Sequence, residues 1–149
     1  MKHSSVKPSS QRKAMYQAAY HARRKMLSAH LSPDLRVRYG LRSIPVRKGD
    51  TVRIMRGTYA GVEGKIRSVD LKKFRVTIDG VTREKADGTT VYVPIHPSNL
   101  MVVKLDLSDK WRASRLEALA KAKEAEEAEA LRREMEAEKE GGEKREEAG

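Results

Sequence analysis

The side chains able to do covalent or metal chemistry are few in this sequence and poorly spaced for it. There is no cysteine, which removes disulfides and thiolate ligands. The four histidines, His3, His21, His30 and His96, share no ligand-like spacing, and none is paired with a carboxylate at the separation a metal or acid–base site uses. Ser98 lies two residues from His96, but inside a proline-rich turn, where a serine serves backbone capping and ligand contact better than nucleophilic attack. Neither a phosphate-loop spacing nor a nucleophile elbow occurs. What remains is electrostatic chemistry: 32 Lys+Arg stand against 21 Asp+Glu, for a formal charge of +11. The chain therefore reads as a non-enzyme that needs neither metal nor cofactor.

That charge is unevenly placed. Residues 1–48 hold 12 Lys+Arg against Asp34 alone, residues 49–119 hold 13 against 9, and residues 120–149 hold 7 against 11. A basic arm ahead of a mildly basic middle is the footprint of a polyanion binder. No apolar run approaches the length of a spanning helix, and MKHSSVKPSS does not continue into a signal-peptide core. At 149 residues, 38% of them hydrophobic, the sequence supports one small core with extensions.

The elements that must position the charge centre on Arg47–Gly80. Val52 and Ile54 alternate with Thr51 and Arg53 as a half-buried strand. Gly57 and Gly61 bracket a loop, Gly64 to Val69 forms a second strand, and Phe74, Val76 and Ile78 alternate in a third. Further strands are predicted at Val81–Lys85, Val91–Ile95 and Leu100–Leu105, with Asp79-Gly80 and Asp87-Gly88 as turns. Short strands, tight turns and one small core predict a mainly β fold, a barrel that limits free edges. Ahead of it, a helix is predicted from Ser9 or Ser10 through Leu27, with Met15, Ala19, Ala22 and Met26 on one face. A short helix follows with Ser32 as cap, Pro33 in its first turn and Gly40 as stop. Ile44–Val46 is expected to be extended. From Asp109, with Ser108 as cap, a long polar helix is predicted to end at Gly141-Gly142. The resulting division is a basic helical extension over 1–46, a barrel over 47–107 and a charged helix and tail over 108–149.

Lys48-Gly49-Asp50 before the V-x-I strand, Arg56-Gly57, Gly61 and Gly64-Lys65 together resemble the KOW motif. The resemblance implies a small SH3-like barrel that binds RNA or a partner protein through its loops. Arg83–Thr90, the string Pro94-Ile95-His96-Pro97-Ser98-Asn99-Leu100 and the block HARRKMLSAHLSPDLR sharpen it. Over about Ser9–Trp111 the chain is similar to the large-subunit ribosomal protein family numbered twenty-four in bacteria, in its archaeal and eukaryotic branch. The intact Pro94–Asn99 string and the glycine set look archaeal. This implies direct binding of large-subunit rRNA in its 5′ domain, early in assembly, by a structural protein near the peptide exit tunnel of the cytoplasmic ribosome. Its implied partners are that RNA, neighbouring large-subunit proteins and factors docking near the tunnel. A KOW domain of a transcription elongation factor is the competing reading, but the short, basic stretch before Arg47 has no room for the mixed α/β domain that precedes it there.

The candidate RNA contacts follow. In the arm they are Lys13, Arg23, Arg24, Lys25, Arg36, Arg38 and Arg42, and leading into the barrel Arg47 and Lys48. The glycine loop and second strand offer Arg56, Tyr59, Gly61 and Lys65, with Tyr59 set to stack on an unpaired base. The turns and fourth strand offer Lys72, Lys73, Arg83 and Lys85, and the proline-rich string His96, Ser98 and Asn99. Gly61 is expected either to need positive φ or to permit close backbone approach.

Overall fold

Alternating apolar residues build the strands, and the computed structural model, which describes residues 6–146, arranges six of them in one sheet. The elements in order are α1 (Pro8–Gln17), α2 (Tyr20–Met26), β1 (Ser28–Leu31), α3 (Pro33–Tyr39), β2 (Ser43–Pro45), β3 (Thr51–Ile54), β4 (Glu63–Asp70) and β5 (Arg75–Ile78). There follow β6 (Thr82–Glu84), β7 (Thr90–Tyr92), a 3-10 turn (Pro97–Asn99), β8 (Leu100–Lys104) and α4 (Lys110–Glu146). Among the described residues helix outweighs strand, so the architecture is mixed α/β rather than mainly β. The expected strands of the middle segment are present; α4 tips the balance. Two units make up the chain. One runs to Arg36 and resumes over Leu41–Asp106, and the other joins Val37–Gly40 to the chain from Leu107.

In the first unit the sheet order is β2-β1-β8-β3-β4-β5, with β6 and β7 as a separate hairpin. Neighbours are antiparallel except β1 and β8, which run parallel with His30 opposite Met101 and Leu31 opposite Val102. The apolar phase of each strand faces the core: Leu31, Val52, Ile54, Ile66, Val76, Ile78, Leu100 and Val102 are all buried. Each such side chain contributes roughly 1.5–3 kcal/mol by leaving water. The register shifts between Thr51 and Val52 and again between Ile66 and Ser68, irregularities that bend a ladder. An isolated bridge between Val76 and Ile95 ties the Val93–His96 segment to β5.

One buried carboxylate joins the two ends of this arrangement. Asp50 is fully buried; its Oδ2 accepts from Arg47 N at 2.9 Å and its Oδ1 from Asp106 N at 2.9 Å. Its backbone bonds Ile66 as well, Ile66 N donating to Asp50 O at 2.9 Å. The chain leading into β3 and the chain leaving β8 are thus held by a single side chain. Gly49 sits against this joint with φ +94, and a Cβ there would lie 2.5 Å from Asp106 Oδ2.

The arm departs from the sequence expectation in two ways. The single helix is broken at Ala18 and Ala19, both extended. No residue of α1 is buried and only Ala22 of α2 is, so no apolar seam holds a continuous helix together. Arg23 secures the break instead, its Nε donating to Ala18 O at 2.9 Å and its guanidinium to Tyr16 O. The start also differs: Pro8 opens α1 after Lys7, with no side-chain cap, because a proline at that point has no amide to satisfy. Second, the extension is only partly helical, since β1 and β2 lie within it. Leu27, Ala29, Leu31 and Ile44 are buried there. The short helix matches its signals, with Leu35 N donating to Ser32 Oγ at 3.4 Å and Gly40 at φ +65.

In the second unit Asp109 takes part in capping α4: Trp111 N donates to Asp109 Oδ1 at 3.0 Å. The helix also runs past Gly141-Gly142 to Glu146, where a stop is expected. Glycine in a helix costs only about 1 kcal/mol, and the flanking Glu and Lys residues are helix formers. Residues 147–149 of the expected tail lie outside the described residues. Lys123 and Glu127 form an i,i+4 pair at 3.2 Å, and Arg133 and Glu129 the expected one at 2.9 Å. Lys123 also donates to Val37 O. No helix among the described residues is long and apolar enough to cross a membrane.

Two substitution sets check this packing by thermal or urea melting. Asp50→Ala removes the acceptor of the part-buried Arg47 and Asp106 amides and is expected to cost roughly 2–5 kcal/mol. Gly61→Val, at φ +87 but with open space around the position, is expected to cost about 1–3 kcal/mol through backbone strain alone. Gly64→Val is expected to cost more than Gly61→Val, because its Cβ would lie 2.5 Å from Asp79 O and 2.7 Å from Ile78 Cγ2.

Candidate nucleic-acid interface

The glycine loop is a closed backbone structure between β3 and β4. Gly61 N donates to Ile54 O at 2.8 Å, Ile54 N to Val62 O at 2.9 Å, and Ala60 N to Gly57 O at 3.1 Å. Gly57 at φ +95 and Gly61 at φ +87 make the reversals, which resolves the two expectations for Gly61 in favour of positive φ. Close approach is the role of Gly64 instead. Tyr59 OH donates to Thr82 O at 3.2 Å, which steadies its ring. Across from the loop, Ile95 and Val76 exchange two 2.8 Å bonds, and Pro97 starts the 3-10 turn. Met55 N donates to Asn99 O at 2.8 Å, stitching loop to turn.

Between them lies a cleft of ≈ 350 Å³. Its apolar wall is Ile54, Val93, Pro94 and Ile95, and its polar lining is Arg56, Tyr59, Arg75, His96 and Asn99. His96 Nδ1 accepts from Ser98 N at 3.2 Å and sits 2.8 Å from Ser98 Oγ. With Nδ1 occupied as acceptor, the neutral ring carries its proton on Nε2. Burial, and next the nearby Arg75 charge, lower the His96 pKa below its ordinary value, which keeps the ring neutral at pH 7.

The structure thus brings Arg56, Tyr59, His96 and Asn99 together, with Ser98 orienting the histidine. Arg75 joins them and was missed. Its signal was its place in the outward phase of Arg75, Thr77 and Asp79, at the start of a strand. The other candidates lie elsewhere. Lys72 and Lys73 are exposed on the β4–β5 turn, where their backbone amides donate to Asp70 Oδ1 at 2.9 and 3.1 Å. Chiefly through the Lys73 amide, these bonds lower the Asp70 pKa despite an opposing desolvation effect. Arg83 and Lys85 are exposed on the β6–β7 hairpin, Lys65 on β4, and Lys48 before β3. Arg47 is half-buried, its amide committed to Asp50.

In the arm, Lys13, Arg24, Lys25 and Arg42 are exposed. Arg23 has a task within the fold: besides its carbonyl bonds, it lies over the rings of Tyr20 at 5.9 Å and Phe74 at 5.7 Å. Arg36 Nε donates to Leu31 O at 2.8 Å, and Arg38 lies 5.3 Å over Tyr39. Among the described residues no cluster of His, Asp or Glu is arranged to hold a metal.

The lowered His96 pKa has a stability consequence. Above the ordinary histidine value of about 6.5 the ring is neutral in both folded and unfolded chains, and its contribution is complete. As pH falls below that value the unfolded chain takes up the proton first, so stability is lost until the lower folded value is passed. Melting temperatures of the wild type are expected to fall more steeply between pH 7 and 5 than those of His96→Gln. Parallel pH profiles for the two would show that His96 is not perturbed.

Comparison with known sequences accords with this geometry. Residues 5–118 match the family model that describes the eukaryotic ribosomal proteins L26 and their archaeal counterparts, numbered twenty-four. The chain is 53% identical over 113 residues to large ribosomal subunit protein uL24 of Korarchaeum cryptofilum, covering 76% of this chain and 86% of that protein. It is 53% identical over 113 residues to uL24 of Saccharolobus solfataricus, covering 76% and 95%. To uL24 of Pyrobaculum islandicum it is 51% identical over 108 residues, covering 72% and 88%. The chain belongs to the archaeal and eukaryotic uL24 family of large-subunit ribosomal proteins, a non-enzymatic family.

Proposed function

We propose that this chain is an rRNA-binding constituent of the large ribosomal subunit in the cytoplasm, contacting the 5′ domain of the large-subunit RNA directly. It joins the particle early in assembly and comes to lie near the peptide exit tunnel, with neighbouring large-subunit proteins and tunnel-docking factors as further partners. In this reading residues 1–46 supply charge and two strands, residues 47–107 form the KOW unit, and residues 108–149 carry the charged helix. The bent, register-shifted sheet and the Val76–Ile95 bridge support an SH3-like barrel for that unit. The observation that carries the proposal is the cleft lined by Arg56 and Arg75, on a chain whose first 48 residues hold 12 cations against one carboxylate. Phosphate neutralisation is the work such a surface does best.

The test is affinity for deproteinised large-subunit rRNA as a function of salt. By analogy with duplex DNA, a protein neutralising several phosphates is expected to lose about 10³–10⁵-fold between 50 and 200 mM salt. Arg56→Gln and Arg75→Gln are each expected to weaken binding and to lower the slope of log affinity against log salt by about 1. A flat dependence in the wild type would overturn the electrostatic reading.

A further inference from the structure

A surface that only tracked phosphates would need cations and nothing else. The cleft between the glycine loop and Pro94–Asn99 has more: an apolar wall of Ile54, Val93, Pro94 and Ile95 faces a polar lining. At ≈ 350 Å³ and open to solvent on one side, it has room for a single unstacked base. We propose that it holds one nucleotide splayed out of the rRNA, with the base in the cleft and the phosphate at its rim. The proposal rests on the rRNA-binding reading and adds what the RNA puts there.

The chemistry of the lining matches the parts of a nucleotide. Pro94 and the Tyr59 ring, the latter steadied by its bond to Thr82 O, offer surfaces for an unstacked base. Asn99 commits its backbone, N donating to His96 O at 3.0 Å and O accepting from Met55 N at 2.8 Å. Among the described residues its side-chain amide has no partner, which leaves a donor and an acceptor for a base edge. His96, its Nδ1 engaged by Ser98, keeps Nε2–H as a neutral donor. Arg56 and Arg75 supply cations, each with several N–H donors, for the singly charged backbone phosphate. A free nucleotide shares this chemistry, but exposed lysines at positions 48, 65, 72 and 73 of the same unit favour a base that arrives with a longer polyanion.

The experiment uses the full chain on deproteinised large-subunit rRNA, with hydroxyl radicals to read the backbone footprint and base-specific reagents to read Watson–Crick edges. With the wild type, a single-stranded base inside the backbone footprint is expected to lose its reactivity. Asn99→Trp, which fills the cleft, is expected to restore that reactivity and leave the backbone footprint in place. Tyr59→Ala, which removes the stacking ring and keeps the cleft open, is expected to restore it in part and serves should the first variant fail to melt cooperatively. A backbone footprint with every base still reactive would overturn the proposal, as would base protection that survives both variants. Saturable binding of 5′-AMP by the protein, with no base protected in the rRNA, would assign the cleft to a free nucleotide and overturn it equally. Absence of any backbone footprint is a different result, because it removes the rRNA reading itself.

Discussion

A carboxylate without solvent must find its donors inside the chain, and Asp50 finds them at two places far apart in sequence. One is the amide of Arg47, before β3, and the other the amide of Asp106, just after β8. Both bonds help to offset the loss of hydration, since a buried polar group with a missing partner is costly. The side chain therefore enforces closure. It fixes β8 beside β3, which places Asn99 under Met55 and sets the proline-rich turn against the glycine loop. The cleft exists because those two segments are held across from each other.

A second constraint acts at the β4–β5 turn. Phe74 is buried with φ +54, a conformation that a bulky residue adopts only when its surroundings compel it. Asp70 compels it by accepting from two consecutive amides of the turn, and Arg23 covers the ring from α2. Arg23 of the basic arm thus serves the fold, as Arg36 does through Leu31 O, while Lys13, Arg24, Lys25 and Arg42 are exposed. Charge and fold are not separable in this stretch.

Local signals were legible wherever a residue's neighbours in sequence were also its neighbours in space. The alternation at Val52 and Ile54, the cap–proline–glycine grammar of α3, and the KOW glycines all fall in this class. Four cleft residues, Arg56, Tyr59, His96 and Asn99, were within reach through the glycine loop and the proline-rich string that carry the family resemblance. Arg75 was not, because an outward residue at the start of a strand looks like any other until the Val76–Ile95 bridge brings His96 beside it. Nor was β1. Ser28–Leu31 alternates for only four residues, too few to separate a strand from the end of a helix, and the strand it pairs with in parallel, β8, lies some seventy residues downstream. The broken helix escaped notice because alanine spacing satisfies a helical period without supplying a seam to bury.

The parallel pairing of β1 with β8 also orders events during synthesis. A chain made from its N-terminus can join β3, β4 and β5 as soon as they emerge, since each pairs with the next across a short loop. β1 is made earlier than all of them yet can join the rest of the sheet only after residues 101–102 exist. Contacts of such separation close late and slowly. For the time between, the basic arm is tethered to a growing domain while β1 lacks its β8 partner. A late-made strand is what finally settles an early one.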